Sequence, residues 1–187
     1  MTASVSTPRL NAVDPALATG KAKDLLAGVQ ATLGLTPNMM RTMANSPAVL
    51  EGYLQFGAAL GKGALRAGLR EQIALAVAQA NECDYCLSAH SALGRMAGLS
   101  ADELTASRDA SAGDPKAEAA LQFAVAVVAA RGAVSDTQFA AVRAAGFTDG
   151  EIAEILAHVA LNVFTNYFNK AALTVVDFPV VHARKAA

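Results

Sequence analysis

The stretch Glu71–His90, EQIALAVAQANECDYCLSAH, decides how the chain is read. Residues 67–81 read as a helix, a turn falls near Asn81-Glu82, and a second helix starts near Cys83. The two form an antiparallel hairpin. Cys83 and Cys86 are three positions apart and His90 stands four beyond Cys86. Offsets of three and four share one helical face, so both sulfurs and the imidazole converge. Counted outward from the turn, Glu71 and His90 lie at nearly equal distances, because each helical residue advances about 1.5 Å. Glu71 is therefore expected beside His90, where a carboxylate orients an imidazole and raises its basicity. A thiol at a helix N-terminus also feels the positive end of the dipole. Such C-x-x-C thiols have pKa values lowered from about 8.5 into the range of roughly 3.5–7.5. The spacing predicts a relay from Glu71 through His90 to Cys86, directly or through water.

Outward from this hairpin the chain reads as helical throughout. Alanine, the best helix former, makes up roughly a quarter of it. Ser46-Pro47 and Asp114-Pro115 each place an N-cap before a proline at the first helical position. Ser100 with Glu103, Ser135 with Gln138 and Thr148 with Glu151 are capping boxes. Gly98, Gly132 and Gly146 stand where helices should stop. The expected helices cover residues 16–32, 38–44, 47–61, 67–81, 84–97, 101–108, 115–131, 136–144 and 149–173. Residues 1–15 read as an N-terminal arm, 16–180 as one helical domain and 181–187 as a loose tail. The linker DASAGD, Asp109–Asp114, is too short to separate domains. The stretches from Ala97 to Leu104 and from Ala145 to Ile152 echo each other, as successive helical hairpins do.

Composition bounds the function. With 187 residues the chain supports one domain with a substantial core. Hydrophobic residues are 53% and charged residues 17%, which excludes disorder over most of the length. Lys plus Arg number 15 and Asp plus Glu 16, so the basic excess of a nucleic-acid binder is missing. Mean hydropathy is +0.33, yet no run approaches the ~18 apolar residues of a membrane span. The apolar surplus suits a large core and subunit contacts. Met1–Leu10 has no charged segment followed by an apolar one, so a cytoplasmic location is expected. In that reducing compartment a lone C-x-x-C is catalytic or metal-binding rather than a structural staple.

Other readings of these residues stay open. Cys83, Cys86 and His90 with Glu71 make a possible zinc set, although structural zinc normally joins two separated ligand pairs. Buried inert cysteines are a second alternative, against which stand the polar neighbours Asn81, Glu82 and Asp84. A decarboxylase-like enzyme with His90 as base is a third. His158 lies on an apolar helix, and Asn162 and Asn166 continue its i, i+4 stripe. Three polar groups there must find partners, in a subunit interface or in the active-site pocket. Tyr85 packs beside the motif turn or gives a hydroxyl to a bound peroxide. Met39, Met40 and Met43 read as core or interface filler, and His182 as a surface residue.

Glu71–His90 resembles the motif of the alkylhydroperoxidase D-like proteins, within the carboxymuconolactone decarboxylase superfamily. The run AHVALNVFTNYFNKAALTVVDFP, residues 157–179, is similar to the C-terminal helix of the peroxidase-related branch. The resemblance covers most of residues 20–180. It implies an all-helical bundle assembled as a homo-trimer or homo-hexamer, and reduction of organic hydroperoxides without a cofactor or metal. It makes Cys86 the peroxidatic thiol, Cys83 the resolving thiol, and Glu71 and His90 the proton relay. Tyr85, His158 and Asn162 are candidate binding residues. The implied partners are a dithiol reductant such as a lipoyl-bearing protein, and a peroxiredoxin. Tyr85 stands where the best-studied peroxidases of the family carry histidine. The decarboxylase branch is shorter and lacks the C-x-x-C.

Overall fold

A computed structural model describes residues 7–185, which form nine α-helices and no strand. They are α1 (Gly20–Leu33), α2 (Asn38–Met43), α3 (Pro47–Leu60), α4 (Ala67–Ala80), α5 (Asp84–Met96), α6 (Ala101–Arg108), α7 (Pro115–Ala129), α8 (Asp136–Ala144) and α9 (Asp149–Ala172). The all-α expectation holds. All three capping boxes are made, with reciprocal side-chain and backbone bonds. The first helix starts later than the sequence suggests. Asp14 instead closes a turn, its carboxylate accepting from Ala16 N–H at 2.9 Å. At the end of α7 both Arg131, φ 53°, and Gly132, φ 89°, are left-handed, and Gly132 N–H closes the helix end on Val127 O at 2.9 Å, as a glycine stop implies.

The hairpin that carries the cysteines sits at the centre. Helix α4 packs against α5, α6, α7 and α9, and its residues from Gln72 to Ala78 are buried without a break. A helix apolar on all sides belongs inside a bundle. Leu75 and Ala78 join a core lobe with α1, α2, α5 and α6, while Ile73, Ala76 and Val77 join a second lobe with α7, α8 and α9. Full burial of each large aliphatic side chain contributes about 1.5–3 kcal/mol, so α4 is the member both lobes depend on.

Helix α4 turns into α5 within three residues. Cys83 N–H reaches back to Ala78 O at 2.9 Å, with Glu82 at φ 50° between the helices. A left-handed non-glycine residue costs roughly 1–2 kcal/mol. Helix α9 secures this turn: Asn81 Nδ2 donates to Asn166 Oδ1 at 2.9 Å, and Lys170 Nζ donates to Asn81 O at 2.7 Å.

The C-terminal segment departs from the reading of a loose tail. Val181 N–H donates to Ser88 Oγ at 2.9 Å and Ala183 N–H to Asp84 Oδ1 at 2.8 Å. His182 Nδ1 lies 2.7 Å from Asp84 Oδ2, and Arg108 donates to His182 O at 2.7 Å. Residues 181–184 form a strap over the start of α5, held by backbone groups that no composition pattern reveals. His182 itself remains exposed, as expected. The arm is extended where described, with Arg9 N–H donating to Ala172 O at 2.8 Å. Residues 1–6 of the arm and 186–187 of the tail lie outside the described residues.

Candidate active site

The site is built at the N-terminus of α5. Cys83 is the N-cap residue, and its sulfur accepts the N–H of Cys86 at 3.3 Å. The thiol thus replaces the usual Ser or Asp oxygen at this position. Cys86 lies in the first turn and lines a cavity of about 570 Å³. Both cysteines are free thiols and both are buried. The burial of Cys83, 1% exposed, reverses the inference from its polar neighbours. Asp84 turns to the strap and Asn81 to Asn166, so their polarity is spent away from the sulfur.

The two thiols have opposite acidities. Cys86 is lowered to about 7, first by the hydrogen bond from the Cys83 thiol, then against burial by the charge of His90 and by the Asn169 amide. Asn169 Nδ2 lies 3.4 Å from Cys86 Sγ. Cys83 is pushed far up by that same bond and by burial. One thiolate and one thiol therefore share a proton environment in which Cys86 takes the charge.

His90 Nδ1 stands 2.8 Å from Glu71 Oε2, the pairing that the helical count predicts. Burial disfavours the imidazolium, but the charge and hydrogen bond of Glu71, with the Cys86 charge behind them, raise the His90 pKa overall. Holding Nδ1 leaves Nε2 as the atom that gains and loses the proton. Among the described residues no three His, Cys, Asp or Glu side chains are placed to hold a metal ion. Glu71, the fourth ligand of the zinc alternative, is spent on His90.

Tyr85, His158 and Asn162 all line the cavity. The Tyr85 hydroxyl already accepts Met39 N–H at 3.0 Å, and its ring meets Phe178 edge-on at 5.9 Å. These contacts are those of a packing residue that ties α5 to α2. Asn162 donates to His158 O at 2.8 Å, within its own helix. The polar stripe of α9 therefore serves the cavity at one end and Cys86 at the other. Met39, Met40 and Met43 are buried, as expected of filler.

Sequence reasoning missed three contributors. Asn169 continues the His158–Asn162–Asn166 stripe by one more turn, and that periodicity was the available signal. Tyr53 of α3 also faces the cavity. Burial first, then the charges of Cys86 and Glu71, push its pKa up to about 12, so the phenol stays a hydroxyl donor. Arg70, next to Glu71, lines the same cavity. Neither Tyr53 nor Arg70 belongs to a recognisable motif.

Residues 47–126, from α3 into α7, match the model of the carboxymuconolactone decarboxylase family. The chain is similar to the alkylhydroperoxidase AhpD core, an uncharacterized peroxidase-related protein from Ralstonia eutropha JMP134. That likeness has 28% identity, a TM-score of 0.81, and covers 92% of this chain and 93% of the other. A peroxidase-related protein from Silicibacter sp. TM1040 aligns at 22% identity and TM-score 0.78, over 94% of this chain and 95% of its own. The debrominase Bmp8 in complex with 2,3,4-tribromopyrrole shares the fold at 19% identity and TM-score 0.78, over 91% and 92% of the two chains. No curated protein matches in sequence. The fold is the alkylhydroperoxidase D-like helical bundle. The chain is thus similar, over residues 47–126 in sequence and over 92% of its length in fold, to the carboxymuconolactone decarboxylase and alkylhydroperoxidase D-like proteins. No described helix is long and apolar enough to cross a membrane.

Proposed function

We propose that the protein is a thiol-dependent peroxidase that reduces organic hydroperoxides. The observation that carries this reading is the asymmetry of the cysteine pair: Cys86 faces the cavity with a pKa of about 7, and Cys83 stands behind it as a protonated thiol. A thiolate is the nucleophile that peroxide chemistry needs. Cys86 Sγ attacks the terminal peroxide oxygen and the O–O bond breaks. The alkoxide leaves with a proton from His90 Nε2 as the alcohol, and Cys86 becomes a sulfenic acid. Cys83 then attacks the Cys86 sulfur, water leaves, and the pair is oxidised to a disulfide. Glu71 holds His90 in the tautomer that delivers the proton, and Asn169 steadies charge on Cys86.

Two further electrons must return the disulfide to two thiols, through a mixed disulfide with an external dithiol. We assign that role to a dithiol reductant such as a lipoyl-bearing protein, with a peroxiredoxin as a further redox partner. The setting we propose is the cytoplasm, and the assembly a homo-trimer or homo-hexamer. The test is consumption of cumene hydroperoxide by the reduced protein beside Cys86→Ser, with intact mass measured afterwards. Peroxide loss with a mass lower by two hydrogens, absent in the variant, supports the reading. Unconsumed peroxide with both thiols intact overturns it and leaves disulfide reduction as the activity of the pair.

A further inference from the structure

Cys86 shares its amide donor with a second sulfur. Asn169 Nδ2 donates to Cys86 Sγ at 3.4 Å and to Met39 Sδ at 3.1 Å. An amide nitrogen carries two N–H groups, so one serves each sulfur. The thiol and the thioether can stand no further apart than these two bonds laid end to end. Asn169 is 3% exposed, and its Oδ1 is buried without a partner among the described residues. The bonds that orient this amide are therefore those to the two sulfurs, and a change at one sulfur alters what the amide offers the other.

Met39 is fixed from its other side as well. Its N–H donates to the hydroxyl of Tyr85, inside the C-x-x-C, at 3.0 Å. Met39 is 8% exposed and lines the cavity together with Cys86. Met40 and Met96 line that cavity too, Met96 at a position 83% exposed, and Met43 is buried away from it. Among the described methionines Met39 alone is bonded to a group that touches Cys86. A hydroperoxide presented to Cys86 therefore stands next to a second oxidisable sulfur.

We propose that Met39 is a modification site for organic hydroperoxides, and that its sulfoxide withdraws Asn169 from Cys86 and slows the thiol when peroxide outruns the reductant. The oxidant rests on the peroxidase reading; the coupling of the two sulfurs does not. While the dithiol is reduced, Cys86 takes the peroxide, because a thiolate is a better nucleophile than a thioether. Once Cys83 and Cys86 are joined as the disulfide, Met39 is the oxidisable sulfur left at that end of the cavity. Its Sδ attacks the terminal peroxide oxygen. An S–O bond forms, the O–O bond breaks, and the hydroxyl proton passes to the departing alkoxide, which leaves as the alcohol. The sulfur is oxidised by two electrons and the peroxide is reduced by two. A polar oxygen now stands where there was a weak thioether acceptor. It draws the Asn169 amide to itself and occupies buried space beside it. Cys86 loses a donor that favours its charged form. A dithiol reopens the disulfide but the sulfoxide needs a dedicated reductase, so the slowed state outlasts the return of reductant.

The test starts from protein whose Cys83 and Cys86 have been joined with diamide, which shields both from over-oxidation. Cumene hydroperoxide is added and removed, and the disulfide is reopened with dithiothreitol, which leaves a sulfoxide intact. Peptide mass then reads one added oxygen at each methionine, and ultraviolet absorbance reads the Cys86 thiolate against pH. Oxygen is expected on Met39, and the thiolate step should move upward by about 0.5–1 in pH. Each protein is compared with its own untreated sample, so a difference in starting stability cancels. In Met39→Leu, and in Asn169→Leu with Met39 oxidised, the treatment should leave the step where it began. Met39 free of oxygen while Met96 is fully oxidised overturns the proposal. So does an oxidised Met39 with an unmoved thiolate step, or an equal upward move in Met39→Leu. Both readouts are independent of turnover. An oxidised Met39 with a raised thiolate step, in protein whose reduced form consumes no peroxide, keeps the coupling and overturns the peroxidase reading. Peroxide consumption with Met39 untouched does the reverse.

Discussion

Glu71→Gln removes the carboxylate charge beside His90 while keeping the side chain's shape. His90 lies one helical turn from Cys86, roughly 6 Å along the axis. At an effective dielectric of about 20, unit charges at that separation interact by about 2.8 kcal/mol. At 1.36 kcal/mol per pKa unit this is a change of about two. The Cys83 bond remains the first cause of the lowering, so loss of the whole imidazolium charge raises Cys86 from about 7 to at most its ordinary 9, and partial loss raises it by about one. The thiolate share at pH 7 falls from about a half to between about a tenth and a hundredth. A more basic thiolate is intrinsically more reactive, with a Brønsted slope of about 0.4–0.5, which recovers roughly three- to eightfold. The net expectation for the first exchange step with a small aromatic disulfide is about two- to sixfold slower at pH 7 and about three- to eightfold faster above pH 10. The two pH–rate profiles must cross. Superimposed profiles, or a variant slower at every pH with unchanged circular dichroism, would refute the Glu71–His90–Cys86 coupling.

Ultraviolet thiolate absorbance of the reduced protein should rise in a single step near pH 7 that Cys86→Ser abolishes and Asn169→Leu moves upward, because Cys83 keeps its proton well into the alkaline range. Gly94→Ala should destabilise by about 1–3 kcal/mol in urea unfolding, since its Cβ would stand 2.6 Å from Leu104 Cδ2 at the α5–α6 contact. Asp84→Ala removes both carboxylate bonds that hold the strap, so amide exchange at His182 and Ala183 should accelerate, with a loss of about 1.5–3 kcal/mol. His158 is a base whose folded pKa is lowered, first by burial. It contributes stability above its unfolded value of about 6.5 that is lost as pH falls toward the folded value. His158→Phe should therefore flatten the decline in urea midpoint on the acid side, whereas the raised pKa of His90 acts in the opposite direction.

The positions of the helices could be read because their ends carry chemistry. Capping boxes at Ser100, Ser135 and Thr148, and proline after Ser46 and Asp114, are local signals that tertiary packing did not override. The Glu71–His90 contact could be read because an antiparallel hairpin converts distance from the turn into register. What depends on packing between distant elements could not. Asn169 meets Cys86 across 83 residues of sequence, and Val181 meets Ser88 across 93. The burial of Cys83 is illegible in the sequence for the same reason. Polarity at Asn81 and Asp84 signals that those groups need partners, and the partners come from α9 and the strap rather than from water.

Asn166, Asn169 and the strap residues all follow the cysteines in the chain by some 80 residues or more, as the separations of 83 and 93 show. During synthesis, when chains fold progressively from the N-terminus, α5 leaves the ribosome long before α9 exists. A nascent chain therefore carries Cys83 and Cys86 without the Asn169 amide donor of α9 and without the cover over Asp84. Cys83, His90 and Glu71 are in place with the hairpin, and the Asn169 donor to Cys86 arrives last. A chain stalled after α8 holds two cysteines that lack the surroundings the finished site gives them. Translation thus sets the moment at which the surroundings of Cys86 are complete.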